Sequence, residues 1–136
     1  LANSKIVKQW FNHAARDLKM ATIALSFSAD LKNESAFHSQ QCIEKALKGY
    51  LVYSNIRPPK THDIQELAKL LVGAEPNLSG LIRNAKELSS YAVTYRYPSA
   101  ELKPLTLAKA KSALNISKKI FDFLLNQMSK DNDREL

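Results

Sequence analysis

Apolar residues recur three and four positions apart along nearly the whole chain, so the pattern predicts helices and no strands. The first helix should run from about Ser4 to Phe27, with Asn3 or Ser4 as N-cap. Val7, Trp10, Ala14, Leu18, Ala21 and Leu25 form its stripe, Phe11 widens it, and Trp10 is expected as a core anchor. A turn over Ser28–Asn33, with Asp30 or Asn33 as cap, leads into a second helix ending near Ser54. Pro58 and Pro59 stop that helix within the loop Asn55–Thr61. Thr61 is the expected cap of a short third helix, Asp63 to about Val72, closed by Gly73 and Pro76. A fourth should open at Asn77 or Ser79 and reach Tyr91 through Leu81, Ile82, Ala85 and Leu88. The fifth should begin near Leu105 and end near Met128, burying Leu107, Ala110, Leu114, Phe121, Leu124 and Met128, with Ile120 on the flank. The expected fold is all-α: an antiparallel up-and-down bundle of four main helices plus one short helix across an end. It forms a single domain over residues 1–128, followed by a charged, frayed tail over 129–136.

The second helix departs from a plain amphipathic pattern. Gln40, Glu44, Leu47 and Leu51 follow one row, so an amide and a carboxylate stand in line with core residues. Lys45 and Lys48 share a flank beside them. Buried polar groups need partners, which here must come from another helix, a second copy of the chain, or water. A self-complementary polar seam of this kind suggests a symmetric homodimer. Gly49, inside the same helix, costs about 1 kcal/mol relative to alanine and implies close approach by another helix. Asp17 of the first helix is either a surface carboxylate or the partner of a basic residue on a neighbour.

Composition adds bounds. The 136 residues suffice for one core without staples, and the single cysteine, Cys42, sits among apolar neighbours as a small core residue. One cysteine and three scattered histidines argue against a metal site, and no cofactor motif is present. The net charge of +7 is spread over both halves, nine basic against six acidic residues up to 68 and eleven against seven beyond. Such a surface permits a nucleotide or RNA partner without a dense binding run. No apolar run has membrane-span length and no secretory signal opens the sequence, so a cytoplasmic protein is expected.

Three motifs then carry a resemblance. Gln40-Gln41-Cys42-Ile43-Glu44-Lys45-Ala46-Leu47-Lys48, the later Lys60-Thr61-His62-Asp63, and Tyr95-Arg96-Tyr97-Pro98 resemble, in order, the HEPN domain family of prokaryotes and higher eukaryotes. The resemblance implies a small helical nucleotide-binding domain, a homodimer, and a minimal nucleotidyltransferase as partner, in toxin–antitoxin-like prokaryotic pairs. Ribonuclease members carry Arg, four to six residues, then His. Arg57 and His62 match that spacing and are the candidate catalytic pair, the histidine handling a proton and the arginine holding phosphate charge. The family's motif lies later in the chain, where Arg96 has no following histidine, so the resemblance favours a binding module over a metal-independent ribonuclease.

Tyr91, Tyr95 and Tyr97, with Arg96 among them, form the densest aromatic cluster. The stretch is either a loop sealing one end of the bundle or a ligand edge. In the second case Tyr95 and Tyr97 stack on a base, Arg96 grips phosphate, His62 hydrogen-bonds the ligand, and Lys45 and Lys48 add positive potential. His38 reads as a helix-surface residue.

Overall fold

The structure, a computed structural model, describes residues 3–73, 75–91 and 104–135, the last three as backbone only. It is an all-α up-and-down bundle. Its elements are α1 (Ser4–Phe27), a 3₁₀ turn (Ala29–Leu31), α2 (Lys32–Tyr53), α3 (Ile64–Lys69), α4 (Leu78–Asn84), a 3₁₀ segment (Lys86–Ser90) and α5 (Leu107–Glu135). α2 is the central element. It packs on α1 and α5 and also meets α3 and the second 3₁₀ segment. Ala21 of α1 lies by Ser35 and Trp10 by Lys48, so α1 and α2 run antiparallel. Ser39 pairs with Ser117 and Tyr53 with Asp131, so α5 runs parallel to α2. No helix among the described residues is long and apolar enough to cross a membrane.

Gly49 explains how α1 comes so close. A Cβ there would stand 2.8 Å from Trp10 Cβ and 2.9 Å from Phe11 Cε2. The core position on α1 belongs to Phe11, whose ring also meets that of Phe121. Trp10, expected as the anchor, is only half-buried beside it. Leu18 and Leu25 likewise flank the seam, while Ala14, Asp17, Ala21 and Ala24 fill it.

The caps differ from expectation in instructive ways. Neither Asp30 nor Asn33 caps α2; Ser28 Oγ instead accepts from Asp30 N–H and starts the 3₁₀ turn. At the other end Asn55 adopts φ 62°, and its N–H bonds Val52 O while Ile56 N–H bonds Leu51 O. This left-handed cap turns the chain back along the bundle. Asp63, not Thr61, caps α3, accepting from Gln65 and Glu66 N–H. Thr61 Oγ1 accepts from Asp63 N–H and donates to Glu66, bracing the turn before it.

The fourth helix is not continuous. α4 ends at Asn84 and the chain tightens to 3₁₀, which brings Ala85, Leu88 and Tyr91 into one buried row at a spacing of three. Ser89 Oγ accepts from Ile64 N–H and fixes this segment to the head of α3. α5 buries Ala110, Ala113, Ser117, Ile120 and Leu124, a row turned from the expected one, with Leu114, Phe121 and Met128 on its flank. Small Ala113 and Ser117 allow α2 close, and Ser117 Oγ donates to Ser39 O at 2.8 Å. The helix continues over Ser129–Glu135, where the sequence suggested a frayed tail. Tyr53 donates to Asp131 Oδ2 there at 2.9 Å.

Candidate functional site

The loop after α2 folds back along it and lays His62 against Glu44. Glu44 is buried, and its Oε1 lies 3.0 Å from His62 Nδ1 while Oε2 accepts from Lys48 Nζ at 3.1 Å. Gln40 Nε2 donates to Glu44 Oε1 at 3.2 Å and to His62 O at 3.3 Å; Gln41 Nε2 donates to Gln40 Oε1 at 2.7 Å. A carboxylate only accepts, so Nδ1 carries the proton in this pair and Nε2 is the nitrogen left to solvent. The His62 side chain is 72% exposed. The arrangement offers an oriented imidazole edge that can bind a ligand or move a proton at Nε2.

A second carboxylate, on α1, has the same type of company. Asp17 of α1 is buried, with Oδ1 2.8 Å from His38 Nδ1 and Oδ2 2.6 Å from Lys45 Nζ. Lys48 ties the Glu44 cluster to α1, its Nζ standing 5.9 Å from the centre of the Trp10 ring. Lys45 also borders an open groove with Ile6, Gln9, Trp10 and His13. Each lysine of the candidate site is thus held by a carboxylate.

Of the residues singled out from the sequence, the structure gathers Gln40, Glu44, Lys48 and His62 into one network. Gln40 and Glu44 are buried within a single chain, and the partners they require come from the chain's own loop. Arg57 goes elsewhere: it is exposed and borders a cleft with Asn3, Ile6, Val52, Asn55, Ile56 and Pro58. It is not brought into the His62 network. Tyr95, Arg96 and Tyr97 lie outside the described residues. His38, which reads from the sequence as a helix-surface residue, pairs with Asp17 instead; His38, Gln41 and Lys45 share a helical row, the signal that marks it.

Two other groups have clear environments. Burial pushes the Cys42 thiol up to about 12, so it is an inert core group. Burial and a 2.6 Å hydrogen bond to Glu75 raise the Tyr50 hydroxyl far above its ordinary range. Among the described residues no group of three or more His, Cys, Asp or Glu side chains stands ready for a metal ion.

Comparison with known proteins agrees with the motifs. The family model described as HEPN domain matches residues 7–128. A crystal structure of an archaeal HEPN homologue is similar at 27% identity and TM-score 0.67, covering 89% of this chain and 96% of that one. No curated protein matches the chain.

Proposed function

The chain belongs to the HEPN family, and from that premise we propose a nucleotide-binding partner module. It acts as a homodimer in the prokaryotic cytoplasm, beside a minimal nucleotidyltransferase in a toxin–antitoxin-like pair. The observation that supports the binding role is His62, gripped through Nδ1 by buried Glu44 so that its other edge faces out. Arg96 supplies the phosphate contact in this reading, Tyr95 and Tyr97 stack on the base, and Lys45 and Lys48 contribute positive potential tempered by their carboxylates. The nucleotidyltransferase, the pairing and the homodimer rest on the family resemblance.

The second reading is a metal-independent ribonuclease. An imidazole oriented by a carboxylate suits proton transfer, which favours it. The position of Arg57 in another cleft weighs against it, because the phosphate charge would lack its expected cation.

Calorimetry with nucleotides and short RNA tests the proposal. Arg96→Ala should weaken binding by about 1.5–3 kcal/mol, the range for a hydrogen bond to a charged group. His62→Ala should act in the same direction, and Lys118→Ala, an exposed control on α5, should not. Wild-type binding by the Arg96 and His62 variants would refute the site. RNA incubated with the protein in EDTA should stay intact; cleavage lost in His62→Ala would favour the second reading. Light scattering should give a dimer at micromolar concentration.

A further inference from the structure

The lysines of the candidate site are held by carboxylates, but another set of cations is not. α3 and α4 enclose a pocket of about 250 Å³ with a floor of Ala68, Leu78 and Ile82, all buried, and Val72 at its wall. Lys69, Arg83 and Lys86 stand around it, each exposed, and no carboxylate lines it. Among the described residues none of the three takes part in an ion pair. The neutral polar groups of the lining are already engaged: Gln65 Nε2 donates to Ile82 O and Ser79 Oγ to Pro76 O. The three cations are therefore the charged donors left to a ligand.

Like charges brought around one concavity raise a positive potential that an anion relieves. A planar guanidinium and two ammonium groups suit the several acceptor oxygens of a phosphate better than a single carboxylate. The apolar floor calls for more than a bare ion, which would leave that surface wet. The volume lies below the roughly 300–1,000 Å³ of drug-sized sites, so the ligand must be compact. We propose that the pocket between α3 and α4 binds a small phosphomonoester, its phosphate on Lys69, Arg83 and Lys86 and its apolar body on Ala68, Leu78 and Ile82. This site is separate from the His62 network and does not depend on the nucleotide reading.

An NMR titration of the full chain with phenyl phosphate, phenol and inorganic phosphate tests it. Phenyl phosphate should shift amides within residues 65–86 and bind at least about tenfold more tightly than either fragment. Arg83→Gln should weaken it by about tenfold or more, as loss of a hydrogen bond to a charged group does. Val72→Phe, which narrows the pocket without touching a charge, should also weaken it. His62→Ala should leave it unchanged. Lys69→Gln and Lys86→Gln provide the same charge test should Arg83→Gln fold poorly. Wild-type binding by the charge variants and by Val72→Phe would overturn the proposal. So would inorganic phosphate binding as tightly as phenyl phosphate, the mark of an adventitious ion only. Loss of binding in His62→Ala alone would move the ligand to the other site and overturn it as well.

Discussion

His62 Nδ1 meets Glu44 Oε1 at 3.0 Å, although the carboxylate is buried in α2 and the imidazole belongs to an exposed loop 18 residues further on. The contact ties the returning loop to the centre of the bundle. It also commits the histidine to one orientation. Lys48 stands on the other oxygen of Glu44, so one buried negative charge serves a loop and a helix at once.

Removing that charge should therefore be costly. Glu44→Ala leaves Lys48 buried without its counter-ion and takes one of two acceptors from Gln40, and the expected loss is about 3–5 kcal/mol, as for other broken buried pairs. Urea unfolding measures it. Glu44→Gln should cost less, since the amide keeps the shape and one acceptor. A loss below about 1 kcal/mol for Glu44→Ala, typical of an exposed pair, would contradict this account.

Two glycines should respond with opposite sign. Gly49→Ala drives a methyl against Trp10 Cβ and the Phe11 ring, and overpacking of this kind costs about 1–3 kcal/mol. Gly80, inside α4, has nothing within 4 Å of an added Cβ, so Gly80→Ala should stabilise by about 0.5–1 kcal/mol. Thermal melts of the two variants decide both signs.

Alkaline pH should loosen the fold. The Cys42 thiol is raised from 9.0 to about 12 by burial, and the Tyr50 hydroxyl is raised in the same direction by burial and by its bond to Glu75. A raised folded value favours the protonated group in the native state. The stabilisation is complete below the unfolded value and is lost as pH climbs through the folded one. The urea midpoint should hold below about pH 9 and fall between there and about 12. Cys42→Ala should flatten that fall. A cysteine reagent should label the wild type only after unfolding.

The end of α5 should depend on one hydrogen bond. Tyr53 OH donates to Asp131 Oδ2, and this contact joins the last turns of α5 to the end of α2. Asp131→Ala should speed amide exchange beyond Met128 while leaving Ala110 to Leu124 protected. Equal protection in both proteins would show that helix propagation alone holds these turns.

Much of this molecule is written locally. The first two helices and their ends, the close approach at Gly49 and the demand of Gln40 and Glu44 for partners all follow from spacing and residue chemistry. Asp17 had to be either exposed or paired, and Lys45 and His38 pair it. The family motifs lie in the sequence in order.

Other features needed the assembled bundle. A helical stripe spans several adjacent rows, so periodicity alone does not choose Phe11 over Trp10, or Ser117 and Ile120 over Leu114 and Phe121; contact with α2 chooses. The switch to 3₁₀ after Ala85 follows from burying Ala85, Leu88 and Tyr91 in one row, a gain that exists only against the rest of the core. The path of the loop decided the site. Arg57 and His62 have the spacing of a catalytic pair, yet a left-handed Asn55 and two prolines lead Arg57 to a cleft beside Asn3 and Ile6, while His62 reaches Glu44. Sequence determines what each group requires; the tertiary fold decides which neighbour meets the requirement, because the histidines and lysine that reach Glu44 and Asp17 from other elements are 18 to 28 residues away along the chain.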